Sequence, residues 1–189
     1  MARKAISVGA VKVAFDSRPV SDLDGVGRYS RCLLAALADT AAASDQLVET
    51  HRPSVLARSR SADVFHSPWM DGAMLHSPCP TVVTIHDLAA LKRRSEHLRC
   101  GGLHLRLRRL ALQRATHVIV PSEAVAQDAV VALGLERSRV IVIPIDSDWH
   151  TIARTTWSVY RQAAVPATRD RVAGTRLGAA RGPLLRPPQ

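Results

Sequence analysis

His117-Val-Ile-Val-Pro-Ser-Glu-Ala-Val-Ala-Gln-Asp-Ala-Val-Val-Ala-Leu-Gly134, followed by Val140-Ile-Val-Ile143, reads as strand, helix, strand. The outer runs are short and almost wholly Val and Ile, the composition of strands covered on both faces in a parallel sheet. Between them Ser122 is placed to cap a helix, Glu123 suits the positive end of its dipole, and Gly134 supplies the stop. Val125, Ala129, Ala132 and Leu133 form its expected apolar stripe.

The same alternation extends toward the N-terminus. Val11-Lys-Val-Ala-Phe15, Ala62-Asp-Val-Phe65 and Thr81-Val-Val-Thr-Ile85 read as further strands, with a weaker one at Gln46–Glu49. Arg28–Ala38 suits a helix with Tyr29, Leu33, Ala36 and Leu37 inward, and Gly102–Ala115 suits another. The predicted fold class is α/β, a Rossmann-like doubly wound parallel sheet forming one domain. Its ligand crevice belongs beyond the carboxyl ends of the strands. That gathers Asp16–Gly27, His66–Met70, His86–Leu88 and Pro121–Glu123. After Ile143 the pattern changes to an amphipathic helix, Asp148–Ala164, with Trp149, Ile152, Ala153, Trp157 and Tyr160 at helical spacing. From Pro166 the chain is aperiodic and rich in Arg, Gly, Pro and Ala, and is read as a disordered tail.

The 189 residues are enough for one real core and short of two full α/β domains. The net charge of +10 points to anionic partners, but it is uneven. The stretch 166–189 holds five Arg against one Asp, and Lys92–Arg114 holds much of the rest. Cys32, Cys79 and Cys100 show no CxxC spacing, so reduced thiols in a cytoplasmic protein are the simple reading. Ile6–Phe15 is interrupted by Lys12 and no cleavage site follows, so no signal peptide and no membrane span is expected.

Three segments carry candidate chemistry. In Asp24-Gly-Val-Gly-Arg-Tyr29 two glycines let backbone N–H groups approach an anion at a helix start, or merely allow a tight turn. In Thr84-Ile-His-Asp-Leu88 a strand-end His86 is placed to donate to a sugar hydroxyl or a developing oxyanion, with Asp87 fixing the loop. The alternative for His86 is a structural role. In Leu103–Arg114, Leu103, Leu107, Leu110 and Ala111 are expected inward, with Arg106, Arg109 and Gln113 toward water. This is an ordinary solvated basic face, or a site of peripheral contact with anionic lipid or a phosphorylated acceptor. His66, His76 and His86 recur every ten residues, which matches neither a strand nor a helix face, so no metal is expected.

In combination these segments resemble the family-four glycosyltransferases, retaining enzymes built from two Rossmann-like domains. The resemblance rests on Asp24-Gly-Val-Gly-Arg-Tyr29, Asp63-Val-Phe-His-Ser-Pro68, Val82-Val-Thr-Ile-His-Asp-Leu88 and Ala115-Thr-His-Val-Ile-Val-Pro-Ser122 with Arg139-Val-Ile-Val-Ile-Pro144, in that order. It implies sugar transfer from a nucleotide-sugar donor to a sugar, lipid or other acceptor, with the donor as co-substrate and no metal or other cofactor. By the same likeness His86 and Asp87 would be the catalytic pair, and His86 would contact the transferred sugar. Gly25, Val26 and Gly27 would meet the diphosphate, with Gly25 and Gly27 as backbone donors. Arg28, Ser122 and Glu123 would line the acceptor side.

The resemblance also divides the chain into an acceptor-side domain (1–145), a remnant of the family's closing helix (146–165) and the basic tail (166–189). The family's second domain, with its Arg-and-Lys pair, would largely be missing between Ile145 and Trp149. An isolated chain without that cationic clamp is expected to bind sugar nucleotide weakly and to turn over little. The expected location is cytoplasmic, with peripheral attachment through Leu103–Arg114 at the inner membrane face left open. Three rivals are weighed. A dinucleotide-binding oxidoreductase would use Gly25-x-Gly27 and Glu49, but Ser30 replaces the third Gly. An HD-type phosphohydrolase would use His86-Asp87, but that pair ends a β-run. A non-enzymatic nucleic-acid binder fits the charge, yet no aromatic platform is interleaved with the basic residues, so no specific nucleic acid is expected.

Overall fold

In the computed structural model of the chain, residues 10–51, 62–88 and 102–165 are described. Six strands form one all-parallel sheet: β1 (Lys12–Asp16), β2 (Gln46–Thr50), β3 (Val64–Ser67), β4 (Thr81–Thr84), β5 (His117–Val120) and β6 (Val140–Val142). Their order is β2-β1-β3-β4-β5-β6. The described helices are α1 (Gly25–Thr40), α2 (Gly102–Arg114), α3 (Glu123–Leu133) and α4 (Trp149–Ala164). The doubly wound expectation is borne out.

The Val/Ile runs of β4, β5 and β6 are continuous because these strands feed two cores. Val82 and Ile119 join Val13, Phe15, Leu33, Leu37, Ile152 and Trp157 on the face covered by α1 and α4. Their neighbours Val83, Val118 and Val120 join Leu112, Ala126, Ala129 and Leu133 under α2 and α3 on the other. Successive side chains point to opposite faces, so a strand covered twice is apolar on both, and its buried polar residues, Asp16, His66, Ser67, Thr81 and Thr84, lie at or near strand ends.

The helix caps follow the sequence. Ser122 Oγ accepts from Val125 N at the start of α3, and Gly134 closes it with φ 66°. Asp148 caps α4 through Thr151 N. Tyr29, Leu33, Ala36 and Leu37 are buried, as expected.

Three readings need correction. Helix α1 starts at Gly25 instead of Arg28, because Asp24 is its N-cap and accepts from Gly27 N at 2.8 Å. In α3 the buried set is Ala126, Ala129 and Leu133, and Ala132 is exposed. Helix α2 is rotated almost to its opposite side. Ala111 and Leu112 are buried, whereas Leu103, Leu107 and Leu110 are exposed. Arg106 and Arg109 are exposed as expected, while Arg109 Nε and the half-buried Gln113 Nε2 also donate to the Leu133 carbonyl, satisfying the C-terminus of α3. The tail at 166–189 and the part of Lys92–Arg114 before Gly102 lie outside the described residues.

Candidate functional site

The chain turns from β1 to β2 on one side and to β3–β6 on the other, so the crevice opens past the ends of β1 and β3. Asp16 ends β1 with its carboxylate fully buried. Arg18 Nε and Nη2 donate to its two oxygens at 2.8 and 2.7 Å, and Trp69 Nε1 donates to Oδ2 at 2.9 Å. A buried carboxylate is tolerated only when paired in this way. The Arg18 guanidinium also lies over the Trp69 ring, 5.4 Å from its centroid. Gly72 seals the arrangement, since a Cβ there would stand 2.0 Å from Ser67 Oγ and 2.5 Å from Asp16 Oδ2. Asp16 therefore pins the Trp69 indole at the crevice.

His86 stands two residues past β4. Its Nε2 faces the Pro68 carbonyl at 2.9 Å, so that nitrogen carries the proton and donates. The ring packs edge-on against Tyr29, 4.5 Å between centroids. Burial holds the His86 pKa below its usual value, against the opposing pull of the Pro68 bond and of Asp87 and Asp24. The neutral ring keeps Nδ1 as an acceptor. The Nε2–H of His86 is thus engaged by a backbone carbonyl within the protein.

Beneath it lies a dry polar chain. His66 is fully buried, with Nδ1 bonded to the Tyr160 hydroxyl and Nε2 to Thr84 Oγ1 at 3.0 Å. Desolvation drives the His66 pKa down to about 3. Burial pushes Tyr29 up to about 12, partly offset by its hydrogen bond to Thr84.

Between these groups lies a cleft of about 300 Å³. Asp22, Asp24 and Val26 line it from the entry to α1, Trp69, Met70 and Asp71 from the segment after β3, and His86, Asp87 and Arg108 complete it. Arg108 is paired with Asp71 at 2.7 Å. The walls therefore carry four carboxylates and one guanidinium already in an ion pair. Asp71 and Arg108 carry no signal in the sequence, and Arg108 reaches the cleft because α2 turns the side opposite to the expected one toward the sheet. A larger cavity of about 380 Å³ sits at the opposite ends of the strands, beside Thr81 and Thr116. Among the described residues no three His, Cys, Asp or Glu side chains converge as a metal site.

Of the expected site residues, the structure brings Val26, His86 and Asp87 into this cleft. Gly25 and Gly27 stand beside it in the first turn of α1, where the Gly27 N–H donates to the Asp24 carboxylate. Arg28 is exposed one residue further. Ser122 and Glu123 do not line the cleft. Ser122 caps α3, and Glu123 pairs with Arg137 at 2.9 Å on the surface.

Gly27 is required for packing: a Cβ would lie 2.0 Å from the Asp22 carbonyl oxygen and 2.8 Å from that of Pro19. Gly25 has nothing within 4 Å of its Cβ position. Gly27→Ala should cost at least about 2 kcal/mol by forcing the loop away. Gly25→Ala should be neutral or slightly stabilising. Paired thermal melts test this, and equal effects would refute the contact.

The described residues form a parallel α/β domain of the doubly wound class with an aromatic-walled, acceptor-rich cleft at its switch point, where folds of this class place their ligands. The family model for Glycosyltransferase Family 4 matches residues 28–145, more than half of the chain, and the chain belongs to that family. Membership supports a glycosyltransferase-like role, with a sugar donor and an acceptor in general. The match takes in His86, Asp87, Ser122 and Glu123 and begins just after Gly27. No curated protein matches the chain. No helix among the described residues is long and apolar enough to cross a membrane.

Proposed function

We propose that the cleft at His86 holds the transferred sugar of a nucleotide-sugar donor, with the donor diphosphate directed toward the start of α1. The observation that carries this reading is a cleft lined by His86, four carboxylates and the Trp69 indole. Sugar hydroxyls are donors that suit carboxylate oxygens and imidazole Nδ1, and an indole offers an apolar surface to sugar C–H groups. The same carboxylates repel a diphosphate from the cleft itself. The first-turn N–H groups of Gly25 and Val26, which have no partner within the helix, supply the nearby anion-binding end.

Transfer breaks the bond between the sugar anomeric carbon and the diphosphate oxygen and leaves added negative charge on the diphosphate. That charge needs a fixed cation. Arg108 is the cation lining this cleft, and it is already paired with Asp71. A clamp has to come from residues beyond the cleft. The chain as it stands is expected to bind a sugar nucleotide more weakly than micromolar and to turn over little.

Calorimetric titration with UDP- and GDP-sugars tests both points. His86→Ala should weaken sugar-nucleotide binding roughly tenfold, the worth of about one hydrogen bond, and leave binding of the bare nucleotide unchanged. Micromolar binding by the unmodified chain would overturn the weak-affinity expectation. Sugar binding indifferent to His86 would overturn the site.

A further inference from the structure

Helix α2 buries Ala111 and Leu112 against the sheet and turns a second apolar stripe outward. Leu103, Leu107 and Leu110 are 67%, 37% and 44% exposed, at positions i, i+4 and i+7 of one face. Arg106 and Arg114 are exposed beside them. Residues 102–114 contain four arginines and no acid. Leucines aligned with cations on one exposed helix face are unusual for a surface that meets only water, where large apolar side chains are scattered singly.

We propose that this face of α2 docks on an anionic lipid bilayer. The leucines enter the interface between headgroups and acyl chains, and the arginines meet the lipid phosphates. Charge complementarity selects this occupant: Arg106, Arg109 and Arg114 are exposed on this helix, Arg108 being paired with Asp71 in the cleft, and residues 102–114 hold no acid, which suits an anionic surface, while the three leucines match a fluid apolar layer that needs no shaped groove. Arg108, on the same helix, lines the His86 cleft, so docking would hold the cleft close to the lipid surface. The inference does not rest on the sugar-transfer reading, and either can fail alone.

The test is co-sedimentation of the full chain with vesicles of phosphatidylcholine alone and of an equal mixture with phosphatidylglycerol. The expected result is strong preference for the mixed vesicles. The triple variant Leu103→Gln, Leu107→Gln, Leu110→Gln keeps every charge and alters only exposed positions, and circular dichroism checks that it folds. It should bind at least tenfold more weakly. Leu103→Cys carrying an environment-sensitive fluorophore should shift to the blue on adding mixed vesicles and stay unchanged with the neutral ones. Undiminished binding of the triple variant would overturn the proposal, because attraction would then come from charge elsewhere in the chain. A leucine-dependent dimer in size-exclusion chromatography, with no vesicle binding, would overturn it in favour of a second copy.

Discussion

Trp157→Ala is expected to lower stability by about 3–5 kcal/mol, seen as a fall of more than about 1 M in the urea midpoint. The indole is almost wholly buried between α4 and α1, and its Nε1 donates to the Leu37 carbonyl at 3.1 Å. It packs edge-on against Tyr160, and the Arg161 guanidinium lies 5.6 Å from its ring centroid. Removing it opens a cavity and leaves a helix carbonyl without its donor, two costs that add. Trp149 on the same helix is only half-buried, so Trp149→Ala should cost clearly less. A Trp157 variant within about 1 kcal/mol of the parent would mean that α4 is not part of the core, since ordinary surface changes fall in that range. As the structure stands, α4 is joined to the same core as β1, β3 and β4 through Ile152, Ala153, Trp157 and Tyr160.

Acidification should destabilise the fold across a defined window. His66 in the folded chain resists protonation down to about 3 because desolvation disfavours the cation. In the unfolded chain a histidine takes its proton near 6.5. Between those values the unfolded state binds more protons, so stability falls as pH falls, by about 1.4 kcal/mol per pH unit. The accumulated loss by pH 3 is on the order of 4 kcal/mol. His86, also held below its usual value by burial, acts in the same direction. Urea denaturation at successive pH values measures the slope. His66→Gln should flatten it whatever the variant does to stability at neutral pH. An unchanged slope between pH 6 and 4 would show that His66 is hydrated in solution.

The strands and the helices α1, α3 and α4 were legible because their residues are locally consistent. Val/Ile runs, Ser122, Asp148 and Gly134 each favour one backbone state on their own. Helix α2 was misread because its sequence is amphiphilic on two sides. Leu103, Leu107 and Leu110 make as good a stripe as Leu105, Ala111 and Leu112, and only packing against β5 and α3 decides between them. The site was half legible. His86 and Asp87 announce themselves as a polar pair at the end of an apolar strand. Asp71 and Arg108 carry no such mark, being common surface residues until the fold sets them 2.7 Å apart.

The sequence alone determined the class of fold, the family and the end of the sheet where ligands belong, because these follow from local periodicity and from motifs read in order. Tertiary structure alone decided which polar groups of the candidate site are engaged within the protein. The His86 Nε2–H donates to the Pro68 carbonyl and the Gly27 N–H donates to the Asp24 carboxylate. Hydrogen bonds between segments far apart in the chain depend on distance in space, and no spacing along the chain encodes that.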